Sequence, residues 1–310
     1  MGKLPKLIYQ RHSEINKIRW DEALKSFPNA LSYATTWYLD AVTNDHWDAI
    51  VTADYEWLMP IPLKSKFGVK YLPTPLFTQQ LGVFGPQKVD SEVSNHFFKH
   101  IASNIPFIEF QLNASNAAPE LEGFTNKLRT NLILELNPER QLIKNGFSDN
   151  IKRNIRKAQE AKLRFNTTSA RAIIKLFQED KAAEIKKFKV EWYNLLDRLY
   201  NVAALRTYGK CYGAYDPLGN LLAGMFIIEW QGRATFIFSG NSVSGKECGA
   251  MPALINHYLE NAPDSITIFD FEGSDNEGLQ RFYRSFGAVE ANYVHLKFNR
   301  LPFYMRWLKA

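Results

Sequence analysis

Asp270 and Glu272 stand two residues apart in the run ITIFDFEGSDNEGLQRFYRSFGAV, at the end of an alternating apolar stretch. Alternation puts both carboxylates on one side of a strand end. Carboxylates placed so act as general bases or hold an ammonium or amine nucleophile; the competing reading is a cap on the following helix, above all for Glu272. Tyr283 lies on that helix, where its hydroxyl is a candidate general acid and the alternative is a core tyrosine. Upstream, FSGNSVSGKECGAMPALINHYLE joins a strand to a helix by a loop rich in Gly and Ser. Such loops expose backbone N–H groups at a helix N-terminus, a seat for phosphate or pyrophosphate. The same composition also serves plain turns.

A second kind of chemistry is carried by charge. Between Lys152 and Lys189 stand twelve basic and four acidic residues, a local +8, whereas the whole chain carries +6. The remainder is therefore slightly acidic. The segment opens with SDNIKRNIRKAQEAK, a helix pattern with Ser148 or Asp149 as N-cap. At about 100° per residue, Lys152, Arg153, Arg156 and Lys157 fall on one face and Ile151, Ile155 and Ala158 on the other. Two arginines among the four favour phosphate or carboxylate, which a guanidinium grips with two parallel hydrogen bonds. A merely solvated helix face is the rival reading.

The elements that position these residues follow a repeated order. In the first half, helical stretches around Trp20 to Phe27 and Ala34 to Val42 precede strand-like runs at Asp48–Ala53, Trp57–Lys64 and Lys70–Pro73. A glycine-bearing loop, a helix near Glu92–Ser103, strand Phe107–Leu112, a helix near Pro119–Thr130 and strand Leu132–Leu136 complete it. The second half runs through strands Cys211–Tyr215, Leu221–Trp230 and Ala234–Phe238, then a glycine loop. Helix Met251–Asn261, strand Ser265–Phe271, helix Asn276–Phe286 and strand Asn292–Phe298 follow. Two similar units are the economical description. They are expected at 1–145 and 146–298, with a tail at 299–310 packing on the body.

Composition bounds the rest. With 310 residues, 45% of them hydrophobic, the chain has the make-up of a globular protein of one or two domains. Cys211 and Cys248 suit free thiols in a reducing compartment. The N-terminal sequence has no signal-peptide core and no stretch reaches the ~20 apolar residues of a membrane span, so a cytoplasmic protein without stable membrane insertion is expected. No metal-ligand spacing stands out.

The strand meander, the glycine loop before a helix and the ending Asn276, Phe282, Tyr283, Phe286, Gly287 are similar to the GNAT acyltransferase domain. Two such units with KRNIRKA at 152–158, FDFEGSDNEGLQRFYRSFGA at 269–288, and the stretch from Trp47 to Phe84 look more like the Fem-type peptidyltransferases and their FemAB-like relatives. The resemblance implies an α+β fold of two tandem GNAT-like domains, each a mixed, mostly antiparallel sheet flanked by helices. It implies an N-acyltransferase moving an acyl or aminoacyl group from a thioester or tRNA ester to an amine on a small molecule or peptide. The donor, acyl-CoA or aminoacyl-tRNA, would lie on Phe238, Ser239, Gly240, Lys246, Gly249, Ala250 and Asn276. Backbone N–H groups of Phe236–Phe238 would hold the oxyanion, Asp270 or Glu272 would take the amine proton, and Tyr283 would protonate the leaving group. Lys152, Arg153, Arg156 and Lys157 would bind anionic substrate. Two alternatives stay open: a non-catalytic tRNA- or RNA-binding protein of the same fold, and an aminoacyltransferase acting on a peptidoglycan precursor. DNA is not among the expected partners. The stretch Ile173–Leu199 is too short for the paired-helix tRNA arm of longer Fem members.

Overall fold

A computed structural model of the chain describes residues 4, 6–136, 139–180, 189–273 and 275–302. By contacts the chain divides into two compact units, Met1–Thr130 with Asn292–Ala310, and Asn131–Ala291.

The first unit runs through β1 (Ile8–Gln10), α1 (Lys17–Ser26), α2 (Thr36–Thr43), β2 (Trp47–Val51), β3 (Leu58–Pro62), β4 (Lys64–Lys66), β5 (Val69–Pro73), α3 (Ser91–Ala102), β6 (Phe107–Gln111) and β7 (Phe124–Arg129). The second contains β8 (Leu132–Glu135), α4 (Asp149–Glu160), β9 (Arg164–Thr167), α5 (Ala170–Asp180), α6 (Val190–Leu205), β10 (Gly209–Tyr215), β11 (Leu221–Trp230) and β12 (Arg233–Asn241). It continues with α7 (Val243–Glu247), α8 (Ala250–Asn261), β13 (Ile268–Asp270), α9 (Glu277–Arg284) and β14 (Val289–Glu290). The chain then returns to the first unit as β15 (Tyr293–Asn299).

Unit 1 holds an antiparallel sheet β1-β2-β3 and a mixed sheet β4-β5-β6-β15-β7. Unit 2 is built on one sheet, β14-β8-β13-β12-β11-β10-β9. Each mixed sheet has a single parallel pair of named strands, β5 with β6 and β12 with β13. In both units a helix joins the two partners, α3 in one and α8 in the other, so the tandem order expected from the sequence is present. The fold is α+β with mostly antiparallel sheets.

Three expectations change. The closing strands are exchanged: β8, expected to close the first unit, pairs with β13 through Leu134↔Phe269, while β15, expected to close the second, pairs with β6 and β7. Leu132, Leu134 and Leu136 alternate into the core of unit 2 beside Phe269 and Phe286. Phe298 of β15 stacks on Phe124, ring centroids 4.5 Å apart. Burial on these partners moves the division from Asn145 to Thr130, and returns the chain to the first unit at Asn292. The helix expected near Pro119–Thr130 is instead the edge strand β7, held by pairing with β15 along its whole length. Of the expected tail, Arg300 and Leu301 hydrogen-bond to Pro106 and Asn299, and 303–310 lie outside the described residues.

In unit 1, Asp40 on α2 ties three elements together. Its Oδ2 accepts from Lys17 Nζ at 2.7 Å, and its Oδ1 accepts from Trp47 Nε1 and lies against His12 Nε2, both at 2.9 Å. Burial alone would raise this carboxyl's pKa, but the hydrogen bonds outweigh it and hold it below the usual value. Both cysteines are free. No described helix is long and apolar enough to cross a membrane.

Candidate functional site

The site is organised by the place where the unit 2 sheet parts. β12 pairs with β13 only over Arg233–Thr235, because the chain after β13 turns to β8, Phe271 N donating to Leu132 O at 3.0 Å. From Phe236 onward no described strand covers β12 on that side. On its other side the register with β11 slips, Phe226 facing Phe238 and Ile227 facing Phe236, so Ile237 is an extra residue. Such a bulge re-aims the backbone next to it.

A cavity of about 590 Å³ lies along this open edge. Its walls are Phe236, Ser239, Gly240 and Asn241 of β12; Gly249, Met251 and Pro252 at the start of α8; Asn276, Gly278, Leu279, Phe282 and Tyr283 of α9; and Phe177 and Asp180 of α5, with Lys246 and Asn154. Gly249 is the N-cap of α8, in left-handed conformation at φ 74°, with no side-chain cap on the helix. A Cβ there would stand 2.3 Å from Asn154 O. Glycine is thus required twice, by its φ and by the approach of α4. A Cβ on Gly240 would fall 2.7 Å from Ile173 O and 2.9 Å from Phe177 N, so α5 lies directly on β12.

Tyr283 is the one candidate catalytic side chain on the cavity wall. It is 9% exposed and stacks on Phe271, centroids 4.8 Å apart. Burial, and then the nearby carboxylate of Glu272, push its pKa well above the ordinary tyrosine value, so its phenol keeps its proton. Asn276 caps α9, its Oδ1 accepting from Gly278 N and Leu279 N, and so fixes the helix that presents Tyr283.

Asp270 and Glu272 are not on the wall. Asp270 is 1% exposed and its Oδ2 accepts from Arg233 Nη1 at 2.7 Å, while its Oδ1 accepts from Glu272 N at 2.9 Å. With both oxygens engaged it is a structural ion pair rather than the expected base. Glu272 takes a left-handed backbone at φ 56° and acts on the site through its charge on Tyr283.

Of the residues expected to hold the donor, Ser239, Gly240, Lys246, Gly249 and Asn276 line the cavity. Phe238 packs instead on Phe177, centroids 5.0 Å apart, and the side chain of Ala250 is in the core. Lys246 is already paired: its Nζ lies 2.6 Å from each carboxylate oxygen of Asp180, whose side chain is 9% exposed. Near this pair is Asn241, whose Oδ1 is buried with no hydrogen-bond partner and would stand 2.5 Å from a Cβ on Gly245, the residue before Lys246. This end of the cavity is therefore a neutral ion pair beside a buried amide oxygen. Asn154, Phe177, Asp180 and Asn241 carry no mark of the site in the sequence, since each reaches the cavity only through packing.

The helix α4 forms as expected, with Ser148 Oγ accepting from Ile151 N, and Ile151 and Ala158 buried. Lys152, Arg153, Arg156 and Lys157 are all exposed. The structure does not bring them to the cavity, which α4 reaches only with Asn154. Arg153 donates to Asn150 Oδ1 at 2.7 Å, and none of the four pairs with a carboxylate among the described residues. Elsewhere in the basic segment Arg171 pairs with Asp197 and Lys175 with Glu179, and Lys181, Lys186 and Lys187 lie outside the described residues.

No family model and no curated protein matches this chain. Solved structures do. FemX is similar at a TM-score of 0.69 and 12% identity, over 97% of this chain and 99% of that one. L-PGS from Bacillus licheniformis is similar at 0.51 and 12% identity, over 87% and 90%. An acetyltransferase of the GNAT family from Colwellia psychrerythraea is similar at 0.51 and 15% identity, over 94% and 98%. At such identities the likeness is one of fold.

Proposed function

We propose, from the FemAB-like, GNAT-related fold that this chain has, that it is an N-acyltransferase whose reaction takes place along the open edge of β12. The observation that carries this reading is the edge itself. Backbone from Phe236 onward, unpaired toward β13 and re-aimed by the extra Ile237, borders the same cavity as the Tyr283 ring. Backbone N–H groups there would donate hydrogen bonds to a carbonyl oxygen as it becomes an oxyanion. An amine attacks the carbonyl carbon, a C–N bond forms and the bond to the leaving oxygen or sulfur breaks. Tyr283 gives its proton to the departing atom and is restored by the proton the amine sheds, with Glu272 to relay it.

The charge at the far end favours an aminoacyl ester over acyl-CoA. Lys246, expected to meet a pyrophosphate, is neutralised by Asp180, so this end of the cavity offers a phosphate no net positive charge. The Asp180 carboxylate, shared with Lys246, suits the ammonium group of an aminoacyl donor. The acceptor is an amine on a small molecule or peptide. Incubation with charged tRNA and peptide amines, following loss of the ester label into an amide, tests the reaction; no transfer from any charged tRNA alongside transfer from acyl-CoA would reverse the choice of donor.

The exposed cations of α4 support a role for this face in holding RNA phosphates. Charge reversal of Arg153 and Arg156 to Glu is expected to weaken tRNA binding and to reduce the slope of log K against log salt by roughly 1 per lost phosphate contact. Filter binding at a series of salt concentrations measures it. An unchanged slope would return the helix to a solvated face.

A further inference from the structure

Unit 1 contains a cavity of about 350 Å³ that belongs to none of the machinery above. It lies between β3, the edge of the three-stranded sheet, and β5, which belongs to the other sheet and does not pair with it. Its floor is aliphatic, made by Ile50 of β2, Ile61 of β3, Ile101 at the end of α3, and Ile105 in the loop that follows it. Its size falls in the range of ligand pockets, ~300–1,000 Å³, which combine apolar walls with a few polar groups that fix orientation.

The rim sets the sign of charge. Arg11 and Lys70 are exposed at the mouth and neither forms an ion pair among the described residues. The carboxylate in the wall, Asp48, is already engaged: its Oδ2 accepts from Tyr9 Oη at 2.5 Å and its Oδ1 from His12 N at 2.9 Å. The carboxyl end of α3 is near, but its carbonyls are occupied, Ile101 O by Asn104 N and Ile105 N, and Ala102 O by Arg300 Nη2. Both partners of Asp48 are neutral, so it keeps its charge and the three groups leave a net +1; over a branched aliphatic floor this matches a ligand with an alkyl chain and an anionic head.

The geometry points to a binding site in unit 1 for an alkyl-chain anion, its chain on Ile50, Ile61, Ile101 and Ile105 and its head on Arg11 and Lys70. The site is separate from the transfer cavity and does not depend on the reaction assigned to it.

Isothermal titration of the full chain with hexanoate, octanoate and decanoate tests it, beside decyltrimethylammonium and a monoacyl glycerol phosphate. Saturable binding is expected, tightening roughly fourfold per added methylene while the chain stays on the floor. Stronger binding of the phosphate than of decanoate would support the site and assign it to a lipid, and the reverse would support it and assign it to a free acid. The Arg11→Glu, Lys70→Glu double variant, altered only at exposed positions, is expected to lose at least tenfold in affinity, whereas Arg153→Glu, Arg156→Glu should bind as the unaltered chain does. Absence of saturation, equal binding of the quaternary ammonium, or full affinity in the rim double variant would each overturn the proposal.

Discussion

Replacement of Tyr283 by Phe is expected to lower the transfer rate by roughly two to four orders of magnitude, the usual worth of a positioned general acid. The ring sits between Phe271 and Phe236, and Phe preserves that packing, so thermal unfolding should move little. The pH dependence gives a second readout. Burial and then Glu272 both raise the Tyr283 pKa above its ordinary value. The protonated phenol therefore persists past pH ~10, where a free tyrosine would begin to lose its proton. The rate should show no alkaline fall at that pH from this group, and Glu272→Gln should bring any such fall to lower pH. The linked effect on stability has a definite sign. A raised folded pKa gives a contribution fully present below the unfolded value of ~10 and lost as pH rises toward the folded one.

The second large effect is on folding. Asp270→Ala is expected to destabilise the protein by about 3 kcal/mol or more, because it strips a buried partner from Arg233. Arg233 is a quarter exposed, which keeps the expectation at the lower end of the range for broken buried pairs. Urea unfolding followed by fluorescence measures it. The rate per folded molecule should stay within a few-fold of the unaltered protein. A variant of normal stability with no transfer would instead restore Asp270 to the chemistry.

These two residues show what the sequence could and could not disclose. Strand alternation correctly places Asp270 at the end of β13, but its partner Arg233 lies 37 residues away and is chosen by the parallel pairing of β12 with β13. Asp180 and Lys246 meet across 66 residues, so a lysine read as a phosphate ligand turns out to be neutralised. The α4 face was legible because helix periodicity is local: Ile151 and Ala158 are buried and all four cations are exposed. The repeat was legible in the same way, from the order of strands and helices. The exchange of β8 and β15 was not, since an alternating strand such as Leu132–Glu135 carries no mark of which sheet it will join. At Phe124–Arg129 a segment read as helix became a strand because β15 supplied a partner for its whole length.

In the reaction proposed above, the unit 2 cavity holds the aminoacyl end of an activated ester, with the Asp180 carboxylate shared between Lys246 and its ammonium group. The direct measurement is a titration of the full chain with a stable 3′-aminoacylamino-adenosine and, separately, with CoA, read as ligand-dependent stabilisation. The aminoacyl analogue is expected to stabilise saturably, by about 2.7 kcal/mol at a hundredfold excess over Kd, with the effect lost in Asp180→Ala while CoA gives none. Stabilisation by CoA, with no response to the aminoacyl analogue, would contradict it.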